Sequence, residues 1–159
     1  MSAGLTRFSS LIASICLILA TPVQACVERA AARHQVPVAL LQAIAWQESG
    51  ANPRALNVNP NGTHDIGLMQ INSSWLPVLQ RHGVKEKDLW DPCVNAQVAA
   101  WLLSENFRRW GYTYRALGAY HSPDAVRQWR YANQVLNRLV VKMPTKPMAN
   151  DQASKKRTP

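Results

Sequence analysis

The chain reads as a mainly α-helical domain interrupted by one loop-rich insertion between about residues 50 and 72. Three observations predict this. Apolar residues fall at helical spacing in segments on both sides of that stretch. Helix-starting and helix-stopping residues bracket those segments. The insertion itself, ANPRALNVNPNGTHD, is dense in Asn, Pro and Gly.

Glu28 to His34 is a short helix candidate. Pro37 fits the first turn of a second helix, which runs to about Ser49 and stops at Gly50. The loop that follows has room for a small hairpin at Asn61-Gly62. Asp65 to Ile71 is a short apolar stretch, too brief for a core helix. Ser73 or Ser74 can cap a helix reaching about His82. Asp91-Pro92 precedes a helix from about Val94 to Arg109, ended by Gly111. Thr113 to Tyr120 is another helical stretch. Ser122-Pro123 has the chemistry of a cap followed by a first-turn proline, opening a last helix to about Val140. No internal repeat is present.

At 159 residues, the chain suits one compact domain. With 47% hydrophobic and 17% charged residues, neither a wholly disordered chain nor a collagen-like one is admissible. The net charge of +9 favours anionic partners without choosing among them. Nothing in the core interleaves aromatics with Lys and Arg as a nucleic-acid groove would. Basic residues crowd the segment 142–159, which carries three Pro, five Lys or Arg and one Asp, and reads as a disordered arm.

Residues 1–25 read as an export signal. Arg7 supplies positive charge, and Leu11 to Ala20 is an apolar run too short to span a membrane. Pro22 breaks the run, and Val23-Gln24-Ala25 fits a cleavage site. The mature chain is expected to start at Cys26, in the periplasm, with no integral membrane segment. An uncleaved anchor and a lipid-modified Cys26 are the alternatives. Cys16 leaves with the signal. The pair that remains, Cys26 and Cys93, suggests one disulfide in an oxidising compartment, adding about 4 kcal/mol on the chain-entropy view. There is no CxxC and no Cys/His cluster, so no metal site is expected. His34, His64, His82 and His121 are scattered.

Leu41, Ile44, Ala45 and Glu48 lie at i, i+3, i+4 and i+7, on one helical face. Three are apolar and the fourth is a carboxylate. Burial would raise its pKa, and a carboxyl still protonated near neutral pH can serve as a general acid. The opposing view places Glu48 at a frayed helix end, pointing into water.

Glu48-Ser49-Gly50, the polar loop, and then Asp65-Ile66-Gly67-Leu68-Met69-Gln70-Ile71-Asn72 follow in this order. A Tyr-containing helix and a final helix with Tyr131 come after them. Together they resemble the lysozyme-like superfamily, and most closely the small secreted lytic transglycosylases of the SLT type. Such proteins accompany specialised secretion, conjugation and pilus machines. The resemblance covers about 26–140 and implies a lysozyme-like α+β domain with a small loop or hairpin insertion.

By that resemblance Glu48 is the catalytic acid, and Ser49 supports it. Gly67, Met69 and Gln70 belong to a turn lining the substrate cleft, where Gly67 would let the backbone approach a sugar and Gln70 would offer amide groups. Asn72 is a polar position of the same segment. Tyr120 matches the Tyr of an AYNAG signature and would contact the glutamate. Here the string is Ala119-Tyr120-His121-Ser122-Pro123, so His121 stands where the signature has Asn. Tyr131 matches a Tyr of the closing helix, with core packing as the alternative. The implied reaction cleaves peptidoglycan glycan strands with the muramic-acid C6 hydroxyl as nucleophile, and implies no cofactor. Gly62 to Gly67 also resembles C-type lysozymes. Asp65 is therefore read either as a second catalytic carboxylate or as an anchor of its turn through Asx-type bonds.

Glu105 is expected to pair with Arg109, Asp91 to cap a helix, and Glu86 and Asp88 to lie in a polar loop. Of six Trp, Trp75 is the expected groove residue because it directly follows the motif. Two rival classes stand beside the enzyme: a non-catalytic wall-binding assembly module, and an exported basic protein acting through its tail.

Overall fold

The computed structural model describes residues 21–142, so the export signal up to residue 20, Cys16 and the basic tail from residue 143 lie outside the described residues. Helix α1 spans Pro22–His34 and α2 spans Val38–Ser49. Strands β1 (Leu56–Val58), β2 (His64–Ile66) and β3 (Ile71–Asn72) form an antiparallel sheet in the order β1-β2-β3. A 3₁₀ turn at Ser73–Trp75 leads into α3 (Leu76–Arg81), and a second at Glu86–Trp90 precedes α4 (Pro92–Trp110). Short α5 (Tyr114–Gly118) and long α6 (Ala125–Lys142) complete the fold. The mainly α architecture with a small sheet in the insertion is as the sequence predicts.

The start of α1 differs from expectation. Pro22, read as a breaker, sits in the first turn, where its missing N–H costs nothing. The Thr21 side chain accepts from the Gln24 N–H and caps the helix, so α1 begins six residues before Glu28. Helix caps elsewhere also moved. Asn72, rather than Ser73 or Ser74, accepts from the Ser74 N–H and starts the 3₁₀ turn. Asp124 Oδ1 accepts from the Arg127 N–H and starts α6, while Ser122 Oγ accepts from the Asp124 N–H two residues earlier. Asp91 caps α4 as expected, taking the N–H groups of Cys93 and Val94. Glu86 and Asp88 sit in a 3₁₀ turn, and Glu105 pairs with Arg108, one residue short of the expected Arg109.

α1 packs on α4, and α2 packs on α6. The Cys26–Cys93 disulfide joins α1 to the first turn of α4 across 67 residues. Leu41, Ile44, Leu68, Met69, Leu103 and Val135 are among the fully buried side chains. The apolar stripe of α2 therefore faces inward, as its spacing predicts.

The sheet connects to this core through Asn95, a buried polar residue on α4. Its side-chain amide donates to the carbonyls of Ile66 (2.8 Å) and Leu89 (2.8 Å), and its Oδ1 accepts from the Met69 N–H (2.7 Å). One amide thus satisfies three backbone groups, two where β2 leads into the turn before β3 and one in the 3₁₀ turn before α4. Gly67 in that turn has φ +76°, and a Cβ there would lie 2.7 Å from Asn95 Nδ2 and 2.8 Å from Leu89 O. Asn95→Ala strands all three backbone groups. It is expected to lower stability by about 3 kcal/mol in urea unfolding followed by circular dichroism.

Candidate active site

The last turn of α2 points Glu48 towards α6, where the Tyr131 hydroxyl donates to Glu48 Oε1 at 2.5 Å. Burial dominates the titration of this carboxyl. It raises the pKa from 4.5 to about 7, with the Tyr131 hydrogen bond pulling it down and the charge of Asp65 pushing it up. The inward face predicted from spacing is therefore the face Glu48 occupies, and the frayed-end alternative is set aside. Tyr131 is 3% exposed: it packs in the core, and its hydroxyl reaches the Glu48 carboxyl. Burial and the neighbouring Glu48 charge hold its own phenol well above the ordinary range.

The expected contact from Tyr120 to Glu48 takes another form. The Tyr120 hydroxyl donates to the Met69 carbonyl at 2.9 Å, and its ring lies 6.4 Å from that of Tyr131 at 20°. Tyr120 thus buttresses Tyr131 while the hydrogen bond to the carboxyl comes from α6. Burial raises its phenol, and Glu48 and Asp65 add to the effect.

The turn 67–70 faces the core more than the cleft. The Met69 side chain is fully buried, so it packs the interior instead of lining a groove. Gly67 is glycine for the close approach of Asn95 and Leu89, not for that of a sugar. Gln70, at φ +51°, donates its amide to Gly67 O (2.9 Å) and Ala55 O (3.2 Å), which commits those donors to the turn. Ser49 donates to Leu68 O at 2.7 Å and accepts from the Asn52 N–H at 3.0 Å. It supports Glu48 by tying the end of α2 to the turn.

Asp65 sits in a cradle of three asparagine amides. Strand register places Asn57 and Asn72 directly across from it on either side. Asn72 Nδ2 donates to Oδ1 at 2.7 Å, while Asn57 (3.1 Å) and Asn59 (3.0 Å) donate to Oδ2. This is a fuller version of the expected anchoring, made by side-chain amides in place of backbone N–H groups. Asn57, Asn59 and Asn95 carried no signal in the sequence beyond their residue type. Only the pairing of NVN with HDI could have suggested the cradle.

A groove of about 340 Å³ adjoins Tyr120 and is lined also by Trp75, Trp101, Glu105, Asn106 and Arg109. Trp75 meets Trp101 edge-on at 6.4 Å, and both line this groove. Among the described residues no helix is long and apolar enough to cross a membrane. Nor do three His, Cys, Asp or Glu side chains group as a metal site.

A glutamic acid at the end of a buried helix, set against a three-stranded hairpin sheet and closed over by a tyrosine of the last helix, defines a lysozyme-like domain. The family model described as the transglycosylase SLT domain matches residues 25–139, and the chain belongs to that family. Invasion protein IagB of Salmonella typhimurium (strain SL1344) is 41% identical over 101 residues, covering 60% of this chain and 63% of that protein. Protein IpgF of Shigella flexneri is 39% identical over 118 residues, 71% of this chain and 78% of that protein. The X polypeptide of Escherichia coli is 37% identical over 98 residues, 61% of this chain and 58% of that protein. The match thus spans less than two thirds of the length of the Salmonella relative.

Two outcomes follow from the Glu48 environment. Tyr131→Phe removes the one hydrogen bond that lowers the carboxyl's pKa, so the Glu48 titration moves above pH 7, as read by NMR of carboxyl-labelled glutamate. The second concerns stability. The folded state holds the Glu48 proton up to about pH 7, whereas the unfolded chain releases it near 4.5. The wild type therefore loses stability relative to Glu48→Gln as pH rises from 4.5 to 7. At pH 8 the variant is expected to be more stable by about 2–3 kcal/mol, with the gap closing below pH 4.5, in urea titrations across pH.

Proposed function

We propose that the domain is a peptidoglycan lytic transglycosylase, cleaving the β-1,4 bond between N-acetylmuramic acid and N-acetylglucosamine. The observation that carries this reading is the Glu48 carboxyl, titrating at about 7 within the segment matched by the family model. At neutral pH a large fraction of it holds a proton. Glu48 gives that proton to the glycosidic oxygen as the bond to the muramic-acid C1 breaks. The C6 hydroxyl of the same muramic acid then attacks C1, and its proton passes to the Glu48 carboxylate. The acid is regenerated and the glycan ends in a 1,6-anhydro sugar, with no water consumed. One carboxylate suffices because the substrate carries the nucleophile.

The Tyr131 hydroxyl orients the carboxyl, and Ser49 fixes the helix end from which it projects. In this reading Trp75 and Trp101 present aromatic faces and edges to sugar rings, and Tyr120 borders the cleaved bond. A lysozyme-type hydrolase would instead recruit Asp65 as a second carboxylate. The three amides on the oxygens of Asp65 favour a fixed negative charge over attack at carbon. That charge also helps to keep Glu48 protonated.

The export signal directs the protein to the periplasm, where the wall is. The name of the Salmonella relative, an invasion protein, supports local opening of the wall for a transenvelope machine of the secretion, conjugation or pilus kind. The net charge of +9 suits a wall rich in free peptide carboxylates.

Mass spectrometry of murein digested by the protein tests the reading. Anhydro ends are expected, and reducing ends would instead mean hydrolysis. Glu48→Gln is expected to cut the rate by about a hundred- to ten-thousandfold. Asp65→Asn is expected to leave the products anhydro while slowing the reaction by about tenfold or less. Loss of all cleavage in Asp65→Asn would restore the two-carboxylate mechanism.

A further inference from the structure

His121 stands outside the machinery described so far, yet its imidazole lies flat on the ring of Tyr131. The centroids are 4.7 Å apart and the planes differ by 2°. Its place is built into the backbone. The His121 and Ser122 N–H groups both donate to Gly118 O, at 3.0 and 3.1 Å. Gly118 presses on α6 so closely that a Cβ there would meet Gln128 O at 2.3 Å. The Gln128 amide in turn donates to Ser122 O at 3.0 Å. The turn after α5 is thereby pinned to α6 on both sides of His121, with the ring over Tyr131.

We propose that His121 is a positioning residue, whose flat contact holds the Tyr131 ring and through it orients the Glu48 carboxyl. The proposal rests on Glu48 being the reacting acid. Tyr131 has a single hydroxyl hydrogen and gives it to Glu48 Oε1 at 2.5 Å. A ring free to tilt would lengthen that bond, and hydrogen bonds weaken steeply as geometry departs from linear. Tyr120 lies 6.4 Å from the Tyr131 ring centre, whereas His121 makes the close stacked contact.

The charged groups facing His121 are Asp65 on the hairpin and Arg127 on α6. Burial, first, and Arg127 lower its pKa below 6.5, against the opposing pull of Asp65. The contact itself is made by the flat ring, with the two planes 2° apart. The role assigned to His121 is therefore one of ring contact, which a ring without charge would also supply. An asparagine, the residue of the AYNAG signature, offers no ring for this contact.

Two variants of the full chain separate the outcomes: His121→Asn, which removes the ring, and His121→Phe, which keeps a flat ring without a titrating group. The readouts are the Glu48 midpoint, by NMR of labelled glutamate assigned with Glu48→Gln, and kcat and KM on murein. His121→Asn is expected to raise the Glu48 midpoint by about half a pH unit or more. It is expected to lower kcat about fivefold with KM within about twofold, and His121→Phe to restore both. A midpoint that stays at its wild-type value in His121→Asn, or a His121→Phe variant that behaves like His121→Asn, overturns the proposal. The NMR midpoint is read without turnover. A wild type that leaves murein uncut would therefore sink the transglycosylase reading while the titration still decides the role of His121.

Discussion

The whole site hangs on one buried amide. Asn95 grips Ile66, Leu89 and Met69 through backbone groups and so locks the turn after β2 to α4. That turn presents the Leu68 carbonyl to Ser49 and the Met69 carbonyl to Tyr120. Ser49 fixes the end of α2, and Tyr120 flanks Tyr131, whose hydroxyl reaches Glu48. Apart from the ring contact between Tyr120 and Tyr131, each link is a short hydrogen bond. In a low-dielectric interior such contacts are strong when satisfied and costly when broken, so the arrangement tolerates little slack.

Around this frame the two carboxylates have opposite fates. Glu48 is largely withdrawn from water and receives one hydroxyl, and its charged form is disfavoured. Asp65 receives three amides on a short sheet. The difference follows from place in the fold. A helix face aimed at the core removes solvent, while cross-strand neighbours in register supply donors.

Much of this was legible in the sequence. The i, i+3, i+4, i+7 stripe placed Glu48 on the inward face of α2, and the hairpin at Asn61-Gly62 and the cap at Asp91 follow from local turn and cap chemistry. The misses share a cause. Met69 and Gly67 stand in a motif that suggested a cleft, but their surroundings are set by α4, which lies far along the chain. Asn95 looked like an ordinary polar residue on a helix, because nothing local marks it as the partner of a distant turn. The exchange of roles between Tyr120 and Tyr131 has the same origin: a hydroxyl's acceptor is decided by packing between helices, which spacing within one helix does not encode. Pro22 misled for a different reason, since the same ring that ends one helix can begin another.

The Tyr131–Glu48 bond joins residues 83 apart, and the disulfide closes a further 67-residue span. Contacts of such long range must overcome the entropy of closing large loops. Neither half of the chain by itself holds a carboxyl that stays protonated near neutral pH, because a solvated glutamate near its ordinary pKa is ionised there. An unfolded or half-folded chain therefore lacks the raised carboxyl pKa that distinguishes the folded domain. The perturbed carboxyl comes into being only when the closing helix docks, which makes completion of folding the step that switches its chemistry on.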